Sequence, residues 1–314
     1  MVIQRIPYID SIKTICIFLM VVGHWTSNEV VLTYIYSFHM PALFVVSGFL
    51  YKPRPWIKTI LSFGIPVAFY SLLNLLYLLV ISEISIYDIF TREIFFRFFH
   101  YRYGLGTGLF MGDWFIWALL ALRLFCGDIS LLKGLRRYYI YIALFAIIYM
   151  SFEGYFIRID SLFRGWFVGR AFPSIPFFFL GIYLKEKGWN PNVMSQKVCV
   201  TFFIIAVLVP LLNGYCSINE NIYGKAYGVF LLNAIVSTLF LFSLLSHFKA
   251  TKYVTIFSKG TLLILGLHIP ILKTLEMILP MWTRDILPLL VLPLCFYPIL
   301  WIDKWCPELL GKVR

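Results

Sequence analysis

Residues 8–25 read YIDSIKTICIFLMVVGHW. The stretch is apolar and close to the length a membrane-spanning helix needs, yet it holds Asp10, Lys13 and His24. Ionisable groups are rare inside membrane helices, and where they occur they mark function. On a helix turning about 100° per residue, Lys13 and His24 fall about 20° apart and Asp10 within about 40° of His24. All three can face one interior groove, with His24 about 16 to 21 Å along the axis from the two charges. A cation at one mouth and an imidazole near the other suit a long substrate with an anionic head and a reactive tail.

The rest of the chain is of the same kind. Of its 314 residues 61% are hydrophobic and 13% charged, where a soluble domain has about 25% charged. Windows of about 20 apolar residues predict ten spans, near 9–26, 34–51, 59–81, 114–132, 138–154, 170–185, 198–214, 228–247, 254–273 and 286–303. The expected fold is all-α, a polytopic transmembrane helical bundle forming a single membrane-embedded domain over residues 1–314. Most of the 27 Lys and Arg fall on the side of the N-terminus, which predicts cytoplasmic termini by the positive-inside rule. The net charge of +12 is then topology signal, and nucleic acid is not an expected partner. The lipid bilayer is.

The six cysteines show no CxxC or Cys/His spacing, so neither disulfides nor a metal site is expected. No small-residue cleavage site follows the first apolar stretch, so the first span is expected to stay. No internal repeat supports a repeat-built transporter.

The second span, SFHMPALFVVSGFLY at 37–51, brings His39 to the outer end, at the depth of His24, with Pro41 in the first helical turn. Ser47 and Gly48 lie deeper, where small side chains let helices approach. The connection at 82–113 holds arginines and aromatics around 92–103. It reads as an interfacial helix, or as a platform on which sugar faces stack. Trp114 reads as belt or packing, with a substrate contact as the alternative. Arg170 reads as an acceptor or thioester contact, or as an interface anchor. His268 flanks Pro270 and reads as a partner for carbonyls that the proline frees.

YID-x-x-K-x10-H, the SFHMP…SGFLY block, DWFIWALLALR at 113–123, FPSIPFFFLGIYL at 172–184 and SKGTLLILGLHIPI at 258–271 together resemble the acyltransferase 3 family. Within it the likeness is to the fucose 4-O-acetylase-like sugar O-acetyltransferases, and it is strongest over residues 5–51. The resemblance implies acetyl transfer from cytoplasmic acetyl-CoA to a hydroxyl of a cell-surface or lipid-linked sugar, in the bacterial inner membrane. Carried onto this sequence, it makes His24 the catalytic histidine, with Lys13 as the basic partner ten places before it. It places Asp10 and His39 beside it in catalysis and Ser47 at the substrate, and implies a CoA role for Lys52, Arg54 and Lys58 of KPRPWIK.

The chemistry suits the residues. Transfer from a thioester to an alcohol needs a base of near-neutral pKa, which histidine supplies, and donors for the oxyanion. No G-x-S-x-G elbow is present, so direct transfer is expected in place of an acyl-serine, with an acyl-histidine intermediate as the alternative. The competing reading is a glycan-precursor transporter or flippase with His24 and Asp10 as a proton relay.

Overall fold

The computed structural model describes residues 5–91, 112–128, 137–156 and 170–313. The arginine- and aromatic-rich run around 92–103 lies outside them. The described chain is predominantly helical: α1 Pro7–Gly23, α2 Glu29–Tyr36, α3 His39–Phe49, α4 Trp56–Val80, α5 Asp113–Arg123, α6 Tyr139–Phe156, α7 Ile175–Glu186, α8 Gln196–Asn213, α9 Tyr227–Ser246, α10 Lys252–Lys259, α11 Thr261–Ile278 and α12 Leu287–Trp305. A two-stranded antiparallel hairpin, β1 Cys216–Ser217 and β2 Ile222–Tyr223, joins α8 to α9.

Each of the ten expected spans contains helix, but among the described residues six stretches are long and apolar enough to cross a membrane. They are Glu29–Phe49, Trp56–Val80, Gln196–Asn213, Tyr227–Ser246, Thr261–Ile278 and Met281–Trp305. Two of the expected spans are cut short by local chemistry. The segment expected at 254–273 breaks at Gly260, where a Cβ would sit 2.2 Å from Ile299 Cδ1, so only glycine fits the turn between α10 and α11. The segment expected from 114 leaves α-geometry after Arg123 and continues as a π-helical turn over Leu124–Asp128.

The chain divides into two compact units. The first comprises residues 1–52, 137–157 and 173–258, and holds α1–α3, α6–α10 and the hairpin. In it α3 packs on α1, α7 and α9, and α8 on α9. The closest approach is between α3 and α7. A Cβ on Gly48 would lie 1.9 Å from the Phe178 carbonyl oxygen, and one on Gly181 2.0 Å from that of Val45. Two glycines thus let the backbones touch, the small-residue packing that membrane bundles use. Phe242 of α9 is fully buried and gathers the rings of Tyr8, Phe49 and Trp189 at 5.9, 6.2 and 5.9 Å.

The second unit comprises residues 53–136, 158–172 and 259–314, with α4 packed on α5 and α11, and α11 on α12. Pro270 inside α11 has no N–H, so the carbonyl of Gly266 loses its helical donor. Asn74 of α4, buried at 4% exposure, donates from Nδ2 to that carbonyl at 2.7 Å.

Candidate active site

Pro7 at the first turn of α1 starts the helix, because its missing N–H would be unpaired there in any case. The first polar pair follows at once and is tied to α10. Asp10 Oδ1 accepts from the Ser258 hydroxyl at 2.6 Å, and its Oδ2 pairs with Arg5 Nη1 at 3.2 Å. Lys13 Nζ donates to the Ser258 carbonyl at 2.6 Å, and Thr14 Oγ1 to that of Val254 at 3.0 Å. An ammonium on the last carbonyls of a helix complements the negative end of its dipole.

At the other end of α1, His24 forms the C-cap, half-buried, its backbone N–H donating to the Met20 carbonyl at 3.0 Å. Asn28 then caps α2 by accepting from the N–H groups of Val30 and Val31, both at 3.0 Å. The turn brings Tyr36 back against α1, where its hydroxyl donates to the Gly23 carbonyl at 3.4 Å. On its other side the Tyr36 ring meets the His39 ring edge-on at 5.2 Å. His39 is buried at 1% exposure, and its Nδ1 lies 2.6 Å from the Ile35 carbonyl. A carbonyl only accepts, so Nδ1 carries the proton and Nε2 is the ring's acceptor. Ser47, one helix face further in, donates its hydroxyl to the Leu43 carbonyl at 2.7 Å.

The second unit holds a separate polar knot. Arg54 donates from Nε to Thr59 Oγ1 at 2.9 Å and from Nη2 to the Ser62 hydroxyl, while its backbone N–H reaches Asp128 Oδ1 at 3.2 Å. The Thr59 hydroxyl donates to Asp128 Oδ2, and Arg123 Nη2 lies 3.6 Å from the same oxygen. The π-helical turn is what presents Asp128 to this knot. Lys52 and Lys58 are exposed. Trp114 is buried, its ring 6.2 Å from Phe115. Arg170, at 1% exposure, ranks among the largest fully buried side chains. His268 is also buried and donates from Nδ1 to the Leu265 carbonyl at 2.8 Å, with that of Ile264 at 3.1 Å. The carbonyl that Pro270 frees is met by Asn74, not by His268.

The first unit thus sets Tyr36 between the Gly23 carbonyl, one residue before His24, and the His39 ring, and ties Asp10 and Lys13 of the same helix α1 to Ser258. A sequence model described as an acyltransferase domain, acyltransferase 3, matches residues 6–302.

The chain belongs to the acyltransferase 3 family.

It is an acyltransferase of the membrane-embedded kind, and no curated protein and no solved structure matches it. In this acyltransferase several polar residues are placed with the candidates though sequence reading passed over them. Ser258 is completely buried and serves both Asp10 and Lys13. Asp128 ends the run DWFIWALLALRLFCGD, in which Asp113 and Arg123 are the other charges, and an acid in so apolar a segment is itself a signal. Tyr36 carries no sequence signal beyond its place between His24 and His39, at the end of α2 and three residues before His39. Among the described residues no three His, Cys, Asp or Glu side chains gather as a metal site.

Proposed function

We propose that this acyltransferase moves an acetyl group from cytoplasmic acetyl-CoA to a hydroxyl of a cell-surface or lipid-linked sugar, in the manner of the fucose 4-O-acetylase-like enzymes that its sequence resembles. The reading sets it in the bacterial inner membrane, with ten crossings and both termini cytoplasmic. The observation that carries it is the layout of α1, with Lys13 at one end and His24 at the other, where Tyr36 links Gly23 to His39. An anionic carrier and a reactive acyl group fit such a helix.

In this reading His24 is the general base. It takes the proton of the acceptor hydroxyl as that oxygen attacks the thioester carbonyl, and the tetrahedral oxyanion then expels the CoA thiolate, which leaves with the proton. His39 has committed its N–H to Ile35, so its Nε2 accepts from the sugar hydroxyl and orients it rather than holding the oxyanion. Asp10 acts by fixing the start of α1. The CoA phosphates are assigned to Lys13 and to the exposed Lys52 and Lys58. Arg54 would have to leave Thr59 and Ser62 to join them. Ser47, Arg170 and Trp114 complete the substrate-binding set.

Membranes carrying the protein should transfer label from acetyl-CoA to a glycan, and His24→Ala should reduce that transfer by at least about 100-fold at equal expression. Full activity in His24→Ala would remove the base. Glycan uptake driven by a pH gradient, with no acetyl transfer, would favour the flippase instead.

A further inference from the structure

The geometry points to an acceptor subsite built by the β1–β2 hairpin: Tyr215 and Tyr36 form an aromatic face, and Glu220 beside it selects uncharged, polyhydroxylated acceptors over anionic ones. The inference rests on the sugar-acetylating reading for its chemistry, but its residues are not among those assigned above.

Tyr36 is the pivot of the histidine end, between the Gly23 carbonyl and the His39 ring. On it lies Tyr215, with ring centroids 5.6 Å apart and the planes tilted by 50°. Both rings are half-buried, so each keeps part of its surface open. Glu220 is exposed in the turn between β1 and β2, five residues after Tyr215 in the same hairpin. A sugar offers an apolar C–H face, which stacks on aromatic rings, and a rim of hydroxyls, which donate to a carboxylate. A uronic acid or sialic acid would bring a second negative charge against Glu220, and like charges brought together are disfavoured.

The hairpin is built to hold this arrangement. Asn213, buried at 4% exposure, donates from Nδ2 to the Tyr223 carbonyl at 3.0 Å and to Cys216 Sγ at 3.3 Å. Its Oδ1 accepts from the N–H groups of Lys225 and Ala226 at 3.1 and 3.3 Å. Asn221 closes the turn at a left-handed φ of 56°, a conformation asparagine tolerates better than most residues. The Glu220 N–H is fastened to the Ser217 carbonyl at 3.2 Å. One buried amide therefore fixes both strands, and with them Tyr215 at the start of the hairpin and Glu220 in its turn.

The test uses the full-length protein in detergent micelles and saturation-transfer NMR with two probes, a methyl glycoside of a neutral hexose and a methyl glucuronide. Wild type should saturate the neutral glycoside and give little signal for the glucuronide. Tyr215→Ala should weaken neutral-glycoside binding about tenfold, the scale of one lost aromatic contact, and Tyr215→Phe should restore most of it. Glu220→Gln should raise glucuronide binding about fivefold relative to the neutral probe. Undiminished neutral binding in Tyr215→Ala, an unchanged preference in Glu220→Gln, or no signal from either probe on wild type overturns the subsite. Acetyl transfer measured in parallel separates the two readings. Transfer that persists while these binding effects fail removes the subsite alone, and binding effects without transfer to any hydroxyl remove the acetylation reading alone.

Discussion

Asn74 donates to the carbonyl of Gly266 at 2.7 Å, the acceptor that Pro270 four residues later leaves without a partner. A side chain of one helix thus repairs a backbone gap in another. Asn74→Ala should destabilise the protein by about 1–3 kcal/mol, the cost of an unsatisfied buried polar group. In Pro270→Ala the carbonyl regains a helical donor, so the same substitution should cost less. Thermal unfolding in detergent of the two single variants and the double variant supplies the cycle. Strict additivity would mean that Asn74 does not serve this carbonyl.

The α3–α7 contact should be the least tolerant place in the first unit. Gly48→Ala and Gly181→Ala each put a methyl about 2 Å from backbone atoms, far inside van der Waals contact. Both should fail to give monodisperse protein in detergent. Gly64→Ala is the control. Nothing lies within 4 Å of its Cβ position, and replacing a mid-helix glycine should add about 0.5–1 kcal/mol.

At the start of α1, burial decides which partner of Asp10 matters. Arg5 keeps 45% of its side chain exposed, so Arg5→Ala should change stability by less than about 1 kcal/mol. Ser258 is fully buried, and Asp10→Ala leaves its hydroxyl without an acceptor. That substitution should cost about 1–3 kcal/mol. Unfolding transitions that rank Arg5→Ala as the worse variant would contradict this.

The Arg54 knot should need a guanidinium and not merely a charge. Arg54 uses Nε and Nη2 on two different hydroxyls, those of Thr59 and Ser62, a fork that an ammonium cannot reproduce. Arg54→Ala should cost about 1–3 kcal/mol, the range for removing the partner of buried polar groups, because Asp128 keeps the residue 54 backbone N–H, Thr59 and Arg123. Arg54→Lys should recover less than half of that in the same unfolding assay.

Cys216 lies in the hairpin, between two spans. Burial pushes its thiol up to about 11, so little thiolate exists near neutral pH and alkylation should be slow. The rate should rise about tenfold per pH unit until the pH reaches that value. Because the unfolded thiol loses its proton earlier, near the ordinary 9.0, stability should decline from about that pH through about 11. Peptide-resolved mass spectrometry of maleimide labelling checks the rate. Fast labelling of Cys216 at neutral pH would contradict the burial.

Much of the fold was legible because membrane helices announce themselves by apolar length. Expected boundaries for α4, α8, α9 and α12 fall within a few residues of those observed. Breaks were less legible, since they depend on distant partners. Gly260 interrupts an apolar run because Ile299 fills the space its side chain would need. The spacing put Lys13 and His24 on one helix, and in the structure Lys13 lies in the first half of α1 while His24 caps its end. It said nothing of the carbonyl that Lys13 reaches, because Ser258 lies 245 residues away in sequence. Arg54 looked like a ligand-binding cation because its partner Asp128 sits in a π-helical turn that composition does not announce.

Helix α1 is fastened at both ends, through Ser258 to the last turn of α10 and through Gly23 to Tyr36. A rod anchored this way resists sliding and rotation, since either would break bonds at two separated places together. Within the proposed reaction it is therefore the stationary part. The acyl carrier and the sugar travel to it, and turnover should be set by how fast they thread in and withdraw rather than by any stroke of the helix that joins their two stations.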